Sequence, residues 1–195
     1  MTLQVQHQPR RFSVEEYARM GEAGIFAPGE RVELIEGEIL AVSPQNRKHA
    51  RRIARLTSLF VRLFGDSHEI RVQLPLTLSK FSEPEPDFAI VPLQESDDAE
   101  RHPAGAALVM EIADSSLSFD RNEKASVYAK ASIQDYWVLN LVNKRLEIRR
   151  GPRELAGSVY GWDYANLSLL AGEQTVSPLA FPDVQISVTD LLGDA

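Results

Sequence analysis

The chain contains no cysteine among its 195 residues, which excludes disulfide bonds, thiolate zinc sites and cysteine nucleophiles. Histidine is also scarce, and the four histidines show no spacing typical of a metal site: His7, His49, His68 and His102. A metal ion in this protein would therefore be bound mainly by oxygen ligands, which favours magnesium or manganese over zinc.

Long apolar runs are absent as well. The chain has no stretch of about 18 apolar residues, the length needed to cross a membrane. The N-terminal sequence MTLQVQHQPRRF also lacks the apolar segment of a signal peptide. We therefore expect a soluble, cytoplasmic protein with no membrane partner. Hydrophobic residues make up 44% of the chain, enough for one domain with a substantial core. We expect residues 1–11 to form a flexible N-terminal arm and residues 12–192 to form this single domain.

Basic residues are fewer than acidic ones, and the formal net charge is −7. This charge argues against a protein that coats nucleic acid nonspecifically. The exception is a predicted amphipathic helix from about Asn46 to Phe64. Its polar side carries a basic stripe of Lys48, Arg51, Arg55 and Arg62. The pattern is compatible with a solvated helix face or with a surface that contacts DNA phosphates.

The first third of the chain predicts a helix and a hairpin. Ser13 to Met20 reads as a short helix with Ser13 as N-cap and Glu16 completing a capping box. Arg31 to Ile35 and Glu38 to Ser43 read as strands joined by a two-residue turn at Glu36 and Gly37.

Glu33 shares a strand face with Ile35 in this hairpin. The pattern alone favours a half-exposed carboxylate paired with Arg31.

Further strands are predicted along the rest of the chain. A polar loop is expected at Gln94 to Ala104. The order of helices and strands suggests an α+β or α/β domain with a mixed central sheet and additional β-hairpins. The predicted strands are Glu69–Gln73, Leu74–Leu78, Asp135–Leu141, Lys144–Arg150, Ser158–Trp162, Asn166–Leu170, Thr175–Ser177 and Val184–Val188.

Asp87 lies at the start of a predicted buried strand. The prolines of SEPEP keep the chain before it extended, and the apolar residues 88–91 follow directly. We therefore expect Asp87 to enter the edge of the core in a fixed pose.

Glu111 interrupts an apolar run from Ala106 to Ala113 that is typical of a strand buried on both faces. A buried carboxylate requires a cation or several hydrogen-bond donors. Asp120 then reads as the N-cap of the following helix, with Glu123 completing a capping box.

Lys124 lies on the apolar face of that helix, three and four residues before Val127 and Tyr128. Its side chain is therefore expected to point toward the sheet, from a first helical turn where the helix dipole disfavours a cation. A structural ion pair with Glu111, or a lysine that extends past Tyr128 to solvent, remains an alternative to a catalytic role.

Together these residues predict phosphodiester hydrolysis. Asp87, Glu111 and a strand carbonyl would form an oxygen site for Mg²⁺, with Mn²⁺ as a substitute, and a nearby lysine could orient or deprotonate water and stabilise charge. The sequence contains no glycine-rich phosphate loop, Ser/His/Asp triad or dinucleotide fingerprint that would favour another chemistry.

The succession RVELIEGEI, SEPEPDFAIV, LVMEIADSS and DRNEKASVYAKASIQDYWVLN resembles the Uma family of restriction endonucleases, bacterial proteins of the PD-(D/E)XK nuclease superfamily. The resemblance extends from about Phe12 to Leu192. It implies a restriction-endonuclease-like core, a mixed sheet flanked by helices. It also implies metal binding by Asp87 and Glu111, with Glu33 as an auxiliary acid of the site.

Two positions depart from the pattern. The lysine of the superfamily usually lies two residues after the second acid, where this chain has Ala113; the resemblance instead places it on the next helix, at Lys124. Position 32 is Val where an aromatic residue is common.

We thus expect a Mg²⁺-dependent endonuclease that cleaves DNA and works as a homodimer, because two related sites most simply cut both strands. The alternatives are a nuclease that acts on RNA, and a catalytically weak or inactive nucleic-acid-binding or interaction module of the same fold.

Overall fold

The computed structural model describes residues 9–42, 47–93 and 102–193. The predictions for residues 1–8 of the N-terminal arm and for residues 94–101 of the polar loop lie outside these ranges. In chain order the elements are α1 Val14–Glu22, β1 Val32–Ile35, β2 Glu38–Ala41, α2 Arg47–Phe64, β3 His68–Arg71, β4 Phe88–Pro92, β5 Leu108–Ala113, α3 Leu117–Phe119, a π-helical turn Asp120–Lys124, α4 Ala125–Lys130, β6 Asp135–Asn140, β7 Arg145–Glu154, β8 Trp162–Ala171, β9 Thr175–Val176, β10 Ile186–Ser187 and α5 Val188–Leu192.

A six-stranded mixed sheet forms the centre of the fold, which confirms the predicted fold class. Its strand order is β3-β4-β5-β6-β7-β8. β5 and β6 are parallel, whereas the other neighbouring strands are antiparallel. The chain can enter β6 parallel to β5 because the segment 117–130, largely helical, crosses over one face of the sheet.

Helices cover the two faces of the sheet. Phe60 of α2 packs in one core cluster with Met110 and Trp137, and Tyr128 of α4 packs in a second cluster with Val109 and Val138. The central strands are therefore buried on both faces, which explains why β4 and β5 have continuous apolar runs rather than alternating ones. Within the described ranges, no helix is long and apolar enough to cross a membrane.

The predicted α1 cap and the β1–β2 hairpin are both confirmed. The Ser13 side chain accepts a hydrogen bond from the Glu16 backbone N–H, and the Glu16 carboxylate accepts from the Ser13 N–H. The hairpin turn has positive φ at Glu36 and Gly37, as a two-residue turn of this kind requires. A Cβ at Gly37 would lie 2.5 Å from the Arg11 Cβ, so glycine also permits the close approach of Arg11.

The hairpin is attached to the segment that leads into β4. The Glu83 N–H donates to the Leu34 carbonyl at 2.7 Å, and the Gly37 N–H donates to the Phe81 carbonyl at 2.7 Å. These bonds fix β1 beside the entrance of β4, the strand that follows Asp87.

Three local predictions were wrong. Leu74–Leu78 is not a strand with one leucine face, since Leu76 is buried but Leu74 is 44% exposed. Gln73 has positive φ and Pro75 has no N–H, so this segment cannot continue β3 as a regular ladder.

The strand predicted at Ser158–Trp162 is wrong, because residues 158–161 form turns before β8. The strand predicted at Val184–Val188 is also wrong: β10 has only two residues, because Ser187 caps α5 by accepting from the Asp190 N–H at 2.9 Å. The strands predicted at Asp135–Leu141 and Lys144–Arg150 are confirmed as the β6–β7 hairpin.

Candidate active site

A cleft of about 490 Å³ lies between the β1–β2 hairpin, the first turn of α2, and the ends of β4 and β5. Its lining includes the four residues that the sequence singled out as catalytic: Glu33, Asp87, Glu111 and Lys124. Residues from β1 and β5, the residue just before β4 and the segment 117–130 thus meet in one place, and the four side chains are largely buried.

Asp87 and Glu111 are neighbours across two antiparallel strands. The pairing of Phe88 with Met110 continues to place Asp87 opposite Glu111. The Asp87 N–H donates to Glu111 Oε2 at 3.0 Å, and the Ile112 N–H donates to Asp87 Oδ2 at 2.8 Å. Because each carboxylate binds the other strand's backbone, the geometry of the pair is fixed by the sheet.

Lys124 points inward, as predicted, and is 3% exposed. Its Nζ lies 3.1 Å from Glu111 Oε1 and 2.7 Å from Glu33 Oε2. The Tyr128 hydroxyl also donates to Glu111 Oε1, at 2.7 Å. Lys124 therefore bridges two acids, and it does not extend past Tyr128 to solvent.

The expectation of a half-exposed Glu33 paired with Arg31 is wrong. Glu33 is 4% exposed, and its partner is Lys124. Arg31 pairs instead with Glu85, at 3.2 Å. The attachment of the hairpin to the β4 lead-in turns Glu33 into the cleft, a long-range effect that strand alternation could not reveal.

Asp120 is not a helix N-cap, since the helical segment already begins at Leu117. Asp120 and Lys124 are the first and last residues of the π-helical turn. Lys124 therefore does not lie in the first turn of a helix, where the dipole would disfavour a cation. The Ser116 hydroxyl donates to Asp120 Oδ2 at 2.6 Å. The wider turn directs Asp120 and Lys124 into the same cleft; π-turns of this kind are frequent at functional sites.

Sequence reasoning missed two further residues at the site. His49 Nε2 lies 3.0 Å from Asp87 Oδ1, and the Gln73 amide donates to the same oxygen at 2.9 Å. His49 lies four and seven residues before Ile53 and Leu56 on α2, so helical spacing on the apolar face could have placed it inward. Gln73 follows no such pattern.

The cleft contains more negative than positive charge. Burial raises the pKa of the Glu111 carboxyl to about 8; Lys124 opposes this rise, and nearby acids including Asp87 add to it. Burial likewise raises the pKa of Asp120 to about 6. Burial alone would lower the pKa of Lys124, but the charges of Glu111 and Glu33 raise it above its ordinary value. Lys124 is therefore a permanent cation that only partly balances the surrounding acids.

Asp87 and His49 shift each other's pKa in opposite directions. Burial would raise the pKa of Asp87, but the hydrogen bond and charge of His49, with the bonds from Ile112 and Gln73, lower it overall. Burial would lower the pKa of His49, but its contact with Asp87 raises it. Asp87 is thus ionised at neutral pH.

The donor set fits a divalent cation bound by two carboxylates. Asp87 Oδ2 and Glu111 Oε2 each accept one hydrogen bond from the described residues, and each oxygen has two lone pairs. In the described ranges, no three His, Asp or Glu side chains are grouped as metal ligands, so a backbone carbonyl and water would have to complete an oxygen site. The excess negative charge favours such an ion.

The basic stripe lies away from the cleft lining. Lys48, Arg51, Arg55 and Arg62 are all exposed, while the opposite side of α2 packs on the sheet. The guanidinium of Arg55 donates to the Asp190 carbonyl in α5, so Arg55 also has a structural contact.

Comparison with known proteins gives a family and a related fold. A family model described as "Uma2: Putative restriction endonuclease" matches residues 14–189. The fold is similar to a crystal structure of a "putative nuclease belonging to DUF820" from Anabaena variabilis ATCC 29413, with a TM-score of 0.68 and 13% sequence identity over 93% of this chain and 97% of the other. No curated protein matches the chain.

Proposed function

The chain belongs to the Uma2 family, and we propose from this membership and from the cleft that it is a metal-dependent endonuclease that hydrolyses DNA phosphodiester bonds. The observation that supports the proposal best is the Glu33–Lys124–Glu111 bridge beside Asp87. Four buried acidic groups around one lysine are costly to maintain for stability alone, because like charges in a buried site repel one another.

Asp87 and Glu111 are the residues that would hold Mg²⁺ or Mn²⁺. A bound divalent cation supplies Lewis-acid polarisation of the phosphate and lowers the pKa of the attacking water. Asp87 is ready to bind because it is already ionised. Glu111 would lose its proton on binding, since ligand carboxylates must be deprotonated.

Lys124 acts in this proposal as a fixed positive charge. Its raised pKa excludes it as a general base at neutral pH, so it would orient the water or a phosphate oxygen by donating hydrogen bonds and would stabilise the charge that develops on the phosphate. Glu33 is a positioning residue, because its carboxylate lies 2.7 Å from the lysine Nζ and pairs with it alongside Glu111. The Lys124–Glu111 ion pair anticipated as a structural alternative is present and forms part of this arrangement.

The substrate assignment follows from charge and from the family. Arg31 and Lys124 supply positive charge within the cleft lining, and the exposed stripe of Lys48, Arg51, Arg55 and Arg62 offers further contacts with DNA phosphates. We propose that the protein works as a homodimer, so that two sites cut the two strands of a duplex.

The test is cleavage of supercoiled plasmid by the purified chain with Mg²⁺ or Mn²⁺, beside Asp87→Asn and Asp66→Asn. Asp66 is exposed and lies just after α2, so its variant is a matched control for the loss of one carboxylate. We expect nicking and linearisation by the wild type and by Asp66→Asn, no cleavage by Asp87→Asn, and none in EDTA.

Other outcomes separate the alternatives. Equal cleavage by wild type and Asp87→Asn would remove Asp87 from the site. Cleavage of RNA but not DNA would identify a ribonuclease, and binding of DNA without cleavage of either polymer would identify a binding module.

A further inference from the structure

The two edges of the central sheet differ in a way that points to a partner. The β3 edge is four residues long and carries Glu69 and Arg71, which pair with each other at 2.9 Å. A short, charged edge strand of this kind resists pairing with another chain. The β8 edge is ten residues long, Trp162–Ala171, and has no charged residue or proline from Tyr164 to its end.

The middle of β8 is unusually open. Its start is held by α4, where the Ser126 hydroxyl donates to the Trp162 carbonyl at 2.7 Å. Beyond Tyr164, all five residues from Ala165 to Leu169 are exposed, although they belong to a sheet strand. Within the described residues β7 is the only strand that pairs with β8, so the outer row of backbone groups has no strand partner there.

Side-chain alternation makes this edge self-complementary. On one face of β8 lie Ala165, Leu167, Leu169 and Ala171, and Leu167 and Leu169 are 53% and 47% exposed. If two copies of β8 pair antiparallel about a twofold axis perpendicular to the sheet, the same face of β8 points to the same side of the joint sheet in both copies. Opposite residues must then both be odd-numbered or both even-numbered. In any such register, the alanines and leucines on the odd-numbered face of one copy lie opposite alanines and leucines of the other copy. No like charges are opposed.

We propose that β8 is the dimerisation edge of this protein, and that two copies pair antiparallel along Ala165–Ala171 to form one continuous twelve-stranded sheet. A second copy of the chain is the occupant that this edge fits, because the apolar stripe and the uncharged backbone edge match themselves.

The pairing has a consequence for catalysis, which rests on the proposed function. Glu111, Val138, Glu147 and Leu169 form one cross-strand row, so Glu111 and Leu169 point to the same side of the sheet. A perpendicular twofold axis therefore brings both clefts to one side. Seven strand spacings separate the two Glu111 positions, about 33 Å in a flat sheet, which is close to one turn of B-DNA, roughly 34 Å.

The test measures self-association of the full chain by sedimentation velocity over a wide concentration range. We expect a dimer for the wild type and at least roughly tenfold weaker association for Leu167→Lys, because each dimer would bring two lysines together. Val61→Lys is the matched control: Val61 is 52% exposed but lies on α2, so its variant should remain dimeric.

A mixture of two variants with opposite charges at position 167 distinguishes charge repulsion from misfolding as the cause of lost dimerisation. Leu167→Lys and Leu167→Glu should each be monomeric alone and should form a heterodimer when mixed, with far-ultraviolet circular dichroism matching the wild type. A monomeric wild type, an unchanged Leu167→Lys dimer, or a mixture that stays monomeric would each overturn the β8 interface.

Plasmid cleavage separates this proposal from the proposed function. A monomeric Leu167→Lys should still nick plasmid but should linearise it more slowly relative to nicking than the wild type does. A dimer that depends on Leu167 but cuts nothing would leave the interface intact and would contradict the nuclease assignment. An active wild type that is monomeric would contradict the interface and the homodimer, and would leave the nuclease assignment intact.

Discussion

Lys124 is the residue on which the charge balance of the cleft depends. A buried ammonium is unfavourable unless acids surround it, and Lys124 Nζ contacts Glu33 and Glu111. The lysine in turn lowers the free-energy cost of burying each of the two carboxylates. The three side chains are therefore coupled, and substitutions among them are expected to be non-additive.

Replacement of Lys124 by Met should separate catalysis from stability. The variant leaves Glu33 and Glu111 without their cation, so we expect a lower melting temperature and loss of cleavage by about 10²-fold or more, as for removal of other charge-stabilising donors. In the double variant Lys124→Met with Glu33→Gln, one unpaired acid is removed, so the melting temperature should partly recover while cleavage stays lost. Thermal melting and plasmid nicking measure the two effects. Normal nicking by Lys124→Met would assign the lysine a purely structural role.

The residues of the site differ in how well local sequence predicted them. Glu111 lies in an apolar run and Lys124 on an apolar helix face. Both were recognised because a charged residue among apolar neighbours indicates a buried charge that needs a partner. Glu33 was assigned the wrong partner, since its environment depends on Lys124, far away in the chain. Asp120 lies four residues before Lys124, and the helical spacing that placed the lysine inward applied equally to the aspartate; the capping-box pattern was the stronger signal and was misleading.

At the scale of elements, the π-helical turn is anchored to the sheet by Arg121. The Arg121 guanidinium donates through Nε to the buried Glu147 carboxylate on β7, at 2.8 Å. Asn140 and Arg145 also donate to that carboxylate, at 2.7 and 3.1 Å. This cluster holds the turn that presents Asp120 and Lys124.

Glu147→Gln should therefore alter the acid dependence of stability. Burial would raise the pKa of Glu147, but hydrogen bonds from Arg121, Asn140 and Arg145 lower it to about 2. A lowered pKa stabilises the fold above the unfolded value of 4.5, and that contribution is lost as the pH falls toward 2.

Denaturant unfolding at several pH values measures this effect. The gap in unfolding free energy between the wild type and Glu147→Gln should be largest at neutral pH and should shrink in acid. Glu154→Gln, at the exposed end of β7, serves as control and should follow the wild type. A gap that is constant with pH would contradict the lowered pKa.

The basic stripe on α2 allows a prediction that distinguishes its members. Arg51→Gln and Arg62→Gln should each weaken DNA binding and reduce the slope of log affinity against log salt by about 0.9, the value for one lost phosphate contact. Arg55→Gln should also lower the melting temperature, because Arg55 binds the Asp190 carbonyl of α5. Fluorescence anisotropy with a labelled duplex gives the slopes, with exposed Arg19 on α1 as control. Unchanged slopes would make the stripe a solvated helix face.

Elements with strong local signals were predicted well, and those fixed by tertiary contacts were not. The α1 capping box, the Glu36–Gly37 turn and the buried runs of β4 and β5 each carry their structure in adjacent residues. The π-turn and the short α5 depend on packing against the sheet. The extended segment 74–78 follows its hydrogen bonds to the β4 lead-in, such as Leu76 N–H to the Pro84 carbonyl at 3.0 Å, rather than its leucine alternation.

At the scale of the whole molecule, electrostatics should make binding of DNA depend on metal. The chain has a net charge of −7, and its cleft contains Glu33, Asp87, Glu111 and Asp120. Without a divalent cation, the ionised acids of this group would repel the DNA phosphates that the proposed function brings to the cleft. A divalent cation held by Asp87 and Glu111 would offset that repulsion.

Asp87→Asn should therefore change DNA affinity in opposite directions with and without metal. In EDTA the variant removes the negative charge of Asp87, and His49 loses part of its positive charge with it, so the cleft becomes somewhat less negative and should bind a labelled duplex more tightly than the wild type. Addition of Ca²⁺, which takes oxygen ligands, should strengthen binding by the wild type and have little effect on Asp87→Asn. Anisotropy titrations at one fixed ionic strength measure both arms, with Asp66→Asn as the control that should respond like the wild type. If Ca²⁺ strengthens binding by Asp87→Asn as much as by the wild type, the cation that governs DNA binding is held elsewhere on the molecule.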